Sequence, residues 1–187
     1  MTPKEYQNYL KEKFIEIFPT VDVYAEKGLE TQQYNIYSPR LDVIVGPLAI
    51  DKRLIQEYDS MMEDYRNFID GLIRIHNRNV SEFDSSIPTL RFEEVRNFNE
   101  NSRCFISIEI ENNISRKHLI GGAINASGLG RVGIFLPWSD DKFQAMLKLV
   151  AYFNFLKRVK NNSYELRNLL IVKREQMTDF ISDYSTE

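Results

Sequence analysis

One cysteine and two histidines in 187 residues leave this chain poor in thiolate and imidazole metal ligands. Cys104 has no partner for an internal disulfide, and with only His76 and His118 beside it a His/Cys zinc cluster is excluded. No apolar run approaches the ~20 residues of a membrane span. The opening Met1-Thr2-Pro3-Lys4-Glu5 carries no hydrophobic leader. The expectation is therefore a cytoplasmic protein with no membrane partner. Repeats, low-complexity tracts, linkers and a Walker-type lysine loop are all missing. What remains is ordinary globular composition, 43% hydrophobic and 27% charged, with length enough for one core. The chain is expected to form a single domain over residues 1–187.

Against that background two apolar runs stand out because each contains carboxylates. The first is Pro39-Arg40-Leu41-Asp42-Val43-Ile44-Val45 and the second Phe105-Ile106-Ser107-Ile108-Glu109-Ile110-Glu111. Both are rich in β-branched residues, and the second alternates with period two, which predicts strands. Ile106, Ile108 and Ile110 take one face, and Ser107, Glu109 and Glu111 the other. Same-face neighbours on a strand lie roughly 6.5–7 Å apart, close enough to act on one site. Carboxylates beside so much apolar sequence are costly unless paired. A hard divalent cation held by oxygen suits them best, Mg2+ first and Mn2+ second. The plain alternative is that Glu-x-Glu is only the solvated half of an amphipathic strand.

After Glu111 the chain reads as a turn, a cap at Ser115 and a helix that packs Leu119, Ile120, Ala123 and Ile124. Val132 to Leu136 is then a short buried strand. Arg116, Lys117 and His118 fall in the first helical turn, where the helix dipole disfavours cations. Backbone N–H groups and basic side chains together suit a phosphate there; a solvated basic turn is the alternative. Net charge is −3, but residues 112–164 hold eight basic residues against two acids, Asp140 and Asp141. The eight are Arg116, Lys117, Arg131, Lys142, Lys148, Lys157, Arg158 and Lys160. This asymmetry predicts a basic face able to meet phosphates, or else only the solvated outer side of a helix.

The scaffold follows from spacing. Thr2-Pro3-Lys4-Glu5 predicts an N-cap, a proline at the first helical position and a capping glutamate. Tyr6, Leu10, Phe14 and Ile17 follow at helical intervals until Pro19. Val21 to Tyr24 predicts a short strand, and residues 51–77 one long helix burying Ile55, Met62, Ile69, Leu72 and Ile73. Residues 79–89 read as a loop. A helix after Ser139 packs Phe143, Met146, Leu147, Val150 and Ala151, and Leu169 to Val172 and 175–184 close the chain as strand and helix. Gly128-Leu129-Gly130-Arg131-Val132-Gly133 spells G-x-G-x-x-G, but a helix precedes it and a strand follows. That is the reverse of a dinucleotide-binding turn, so helix-ending glycines are expected instead.

The order helix, strand, Asp-bearing strand, Glu-x-Glu strand, helix, strand resembles the PD-(D/E)xK nuclease superfamily, which includes many restriction endonucleases. The resemblance covers roughly residues 2–25, 36–47 and 102–137. Pro39 and Asp42 resemble its Pro/Asp element, with two residues between them rather than none. Glu109 matches its acidic position, and Glu111 stands where the family usually has lysine. Some members carry Glu-x-Glu, and others draw a lysine from the following helix, for which Lys117 is the candidate here. The resemblance implies an α/β restriction-endonuclease-like core. Its central mixed sheet would have four to five strands flanked by helices, with a helical insertion at about 51–78. It further implies a Mg2+-dependent endodeoxyribonuclease with Asp42, Glu109 and Glu111 as metal ligands. Catalysis would rest on those three and Lys117, and phosphate contacts on Arg116, Lys117 and Arg131. Double-stranded DNA is the implied substrate and a homodimer the implied assembly. Tyr34 and Tyr37 could stack on bases or pack in the core. The competing expectations are a catalytically silent nuclease-fold module that binds nucleic acid or protein, and an α/β interaction protein whose acidic pair is structural.

Overall fold

The computed structural model describes residues 1–28, 39–113, 115–160 and 165–184; Tyr34 and Tyr37 lie outside them. Helix α1 spans Pro3–Ile17. The capping box predicted from the first five residues is present. Thr2 Oγ1 accepts the Glu5 N–H at 3.3 Å and Glu5 Oε2 accepts the Thr2 N–H at 2.7 Å. Tyr6, Leu10 and Phe14 are buried. Phe18, rather than Ile17, completes the stripe, because the chain turns there and drives that ring into the core.

Five strands form one mixed sheet in sequential order: β1 Val23–Gly28, β2 Arg40–Val45, β3 Cys104–Glu111, β4 Gly130–Pro137 and β5 Leu169–Ile171. β1, β2 and β3 are successively antiparallel. β3, β4 and β5 run parallel. The first strand lies later than its sequence suggests, because Val21 is held in the turn by Phe18 O at 3.1 Å. The Asp-bearing and Glu-bearing strands are neighbours.

Period two on β3 sorts the sheet's faces. Val43, Val45, Ile106, Ile108, Val132, Ile134 and Leu136 pack against α1 and the helices between β2 and β3. Phe135, Leu169 and Ile171 on the other face meet Leu119, Ala123 and Ala126 of α5 (Arg116–Leu129). α6 (Asp140–Lys160) adds Phe143, Met146 and Leu147 there. A final helix, α7 (Arg174–Tyr184), buries Met177 and Ile181 on the first face. No helix among the described residues is long and apolar enough to cross a membrane.

The insertion between the acidic strands is not one helix. It breaks at Tyr65 (φ −108°, ψ 25°) into α2 (Ile55–Asp64) and α3 (Arg66–Phe83). The Tyr65 ring packs against Phe18 and Phe105, so tertiary packing overrides helical continuity. α3 also runs through residues expected to be loop. Asn79 is satisfied inside, its Nδ2 donating to Ile171 O at 2.9 Å, so a polar residue that hints at a loop instead pins the helix to β5. A short α4 (Phe92–Phe98) follows, burying Phe92 and Val95.

The glycines after α5 serve close packing. A Cβ on Gly133 would lie 2.7 Å from the Ala126 carbonyl carbon and oxygen of α5. Only glycine lets this helix settle on β4, which sets where its N-terminus meets β3. Gly133→Ala must shift backbone, and should cost at the upper end of the roughly 1–3 kcal/mol typical of overpacking. Gly128→Ala, at a position facing open space, should be neutral or stabilising by about 0.5–1 kcal/mol, since glycine weakens a helix. Urea unfolding of the two variants checks the contrast.

Candidate active site

Asp42 and Glu109 meet at one end of the β2–β3 pair. The ladder runs Val45↔Ile106, Ile44↔Ser107, Val43↔Ile108, so the next step sets Asp42 opposite Glu109. There backbone pairing stops, and Asp42 Oδ2 itself accepts the Ile110 N–H at 2.7 Å. Strand alternation puts Asp42, Ser107, Glu109 and Glu111 on the face covered by α5. Gln7, on the buried side of α1, donates Nε2 to the Asp42 backbone carbonyl at 2.5 Å. Glu109 Oε1 accepts from Asn125 Nδ2 of α5 at 3.3 Å.

The electrostatics of this pair are unfavourable in isolation. Burial pushes the Glu109 carboxyl up to about 8, and the charges of Asp42 and then Glu111 push the same way, while the Asn125 hydrogen bond pulls it down. Burial also raises Asp42, opposed by the Ile110 N–H; Glu26 and Glu111 raise it and Lys4 lowers it. Two close carboxylates of this kind titrate as a unit. A raised carboxyl marks a place where positive charge is missing.

Glu111 is differently engaged. Its Oε1 accepts the Asn113 N–H at 2.6 Å, and Oε2 lies over Gly122 of α5. Asn113 Oδ1 in turn accepts the Ser115 N–H at 2.8 Å, and Ser115 Oγ accepts the His118 N–H at 3.4 Å. These bonds build the predicted cap, after which Arg116, Lys117 and His118 are exposed in the first turn. Among the described residues, no group of three or more His, Cys, Asp or Glu side chains is gathered to hold a metal ion. Asp42 and Glu109 nonetheless fit a hard divalent cation by chemistry: both are oxygen donors, half-buried and short of positive charge. Asn113 engages Oε1 of Glu111, which leaves Oε2 as its oxygen donor.

Arg131 is not a phosphate contact. It is 1% exposed, its Nη2 pairs with Asp59 of α2, and its Nη1 donates to Asn99 O at 3.1 Å. The basic segment thus loses one member to the interior. Lys157 is tied to Glu165, so the remaining exposed charge is less concentrated than its sequence count suggests.

Four residues at this end escaped the sequence reading: Lys4, Gln7, Glu26 and Asn125. Gln7 left a trace, a polar side chain three residues before Leu10 on the buried stripe of α1. Glu26 left none, because its position depends on a backbone excursion to φ 50° between Ala25↔Val43 and Lys27↔Leu41. Comparison of the chain with protein-family models, curated proteins and solved structures returned no match.

Proposed function

We propose that this chain is a Mg2+-dependent endodeoxyribonuclease, with Mn2+ as a substitute and a restriction-endonuclease-like core. The observation that carries the proposal is the half-buried Asp42–Glu109 carboxylate pair, which no ion pair neutralises directly among the described residues, at the sheet end where α5 presents Arg116 and Lys117. In this reading Asp42 and Glu109 hold the cation. When bound, the cation supplies Lewis acidity to a phosphoryl oxygen and lowers the pKa of an attacking water. Glu111 would accept that water's proton through Oε2 as the new P–O bond forms and the P–O3′ bond breaks, the departing O3′ taking a proton from solvent. Lys117 faces the charge that gathers on the phosphate, and Arg116 holds a neighbouring phosphate at the helix N-terminus. Cutting both strands of a duplex suits a homodimer.

The deciding experiment incubates purified protein with supercoiled and linear duplex DNA in Mg2+, in Mn2+ and in chelator. Cleavage only with metal supports the proposal; no cleavage under any of these conditions ends it. Lys117→Ala should lose on the order of 10²–10³ in single-turnover rate, the scale of a lost oxyanion donor, yet bind Mn2+ unchanged. Neutralising Arg116 and Lys117 should each lower the log–log salt slope of DNA binding by about one. Cleavage by Lys117→Ala at the parent rate would remove that residue from the chemistry.

The engagement of Glu111 with Asn113 favours one second reading, a catalytically silent module that binds nucleic acid. Salt-sensitive DNA binding with neither cleavage nor Mn2+ binding would select it.

A further inference from the structure

Lys4 stands in the first turn of α1, where a cation works against the helix dipole. Its placement has a local reason. One turn on, Gln7 holds the Asp42 carbonyl; residues three apart share a helix face. From that face the Lys4 Nζ reaches Glu26 Oε1 at 2.6 Å. Glu26 falls between the β1–β2 pairs Ala25↔Val43 and Lys27↔Leu41, and so opposite Asp42. With neighbouring strands ~4.8 Å apart, Glu26, Asp42 and Glu109 make a row across three strands. Lys4 draws the Asp42 carboxyl down while Glu26 and Glu111 push it up. Among the described residues no ion pair joins Arg116, Lys117 or His118 to this row.

We propose that Lys4 is a positioning residue of this site, the counter-charge of Glu26 beside Asp42, and that it opposes the loading of a divalent cation on Asp42 and Glu109. The proposal rests on the nuclease reading for its purpose and on the Lys4–Glu26 pairing for its geometry. Without metal, the ammonium offsets the repulsion between Glu26 and Asp42. With metal, the same ammonium opposes loading, so the pair sets the concentration at which the site fills.

Its size follows from exposure. Lys4 and Glu26 side chains are 56% and 53% exposed, so solvent screens them and the effect is modest. Calorimetric titration of the full chain with Mn2+ at low ionic strength should show Lys4→Met binding on the order of threefold tighter than the parent. Lys4→Arg, which keeps the charge, should match the parent. The difference should fade toward 1 M salt, where the screening length is about 3 Å. Glu26→Gln should bind more weakly. Equal affinity in Lys4→Met and the parent overturns the proposal even if the parent cleaves DNA, and so does the same tightening in Lys117→Met, which would be a net-charge effect only. Mn2+ binding without DNA cleavage removes the nuclease reading, yet the Lys4→Met and Lys4→Arg titrations still decide the counter-charge. A parent chain that binds no Mn2+ overturns both.

Discussion

Glu109→Gln should abolish metal-dependent cleavage and, in metal-free protein, raise the melting temperature near pH 8 but not near pH 5. Losing one of two oxygen donors disables the cation's hold. The stability effect has a separate origin. Burial pushes the folded Glu109 carboxyl up to about 8, whereas an ordinary glutamate lies near 4.5. Between those values the folded state binds more protons than the unfolded one, so its stability falls as pH rises. An amide has no proton to lose and removes that slope. Cleavage assays and thermal melts at the two pH values provide both readouts. If Glu109→Gln cuts at the parent rate, the active site lies elsewhere. If the melting temperature of the parent does not drop relative to the variant as pH rises, the carboxyl is not held protonated. On the proposed reading, Mg2+ binding would expel the same proton and tie the pH dependence of loading to this residue.

Arg131→Ala should destabilise the fold by about 3 kcal/mol, at the lower end of the range for breaking a buried ion pair. The lower end applies because Asp59 retains 33% exposure and keeps Arg96 Nε at 3.8 Å. Arg131→Met, which refills most of the volume, should cost less. Guanidinium midpoints with unchanged slopes measure both effects. In the folded state DNA affinity and its salt slope should stay as in the parent, unlike the losses expected at Arg116 and Lys117. A change of slope in Arg131→Met would return this residue to the binding surface.

The contrast between Arg131 and Lys117 shows what charge in a sequence does and does not say. Both count equally in a tally of residues 112–164, yet one is interior and the other exposed, because Arg131 lies in β4 facing an acidic side chain from α2. Only tertiary pairing distinguishes them. Signals confined to a few consecutive residues fared better. The Thr2-Pro3-Glu5 box, the Ser115 cap and the alternating isoleucines of β3 each encode their structure locally. The break at Tyr65 did not, since it follows from rings at Phe18 and Phe105. At the site, the adjacency of Asp42 and Glu109 was legible from two apolar strands that each carry a carboxylate. The turning of Glu111 toward Asn113 was not, because a carboxylate one residue from a turn has a backbone donor within reach that strand periodicity ignores.

Asp42 also performs a mechanical office. By accepting the Ile110 N–H it acts as an honorary backbone carbonyl, and β2 and β3 become a zipper whose last tooth is a side chain. Below that tooth the strands are locked by their own amides. Above it the two strands part, each held by its outer neighbour: Leu41 and Arg40 by β1, Ile110 and Glu111 by β4. Turning Asp42 away would remove the last bond between β2 and β3 and leave those outer ladders in place.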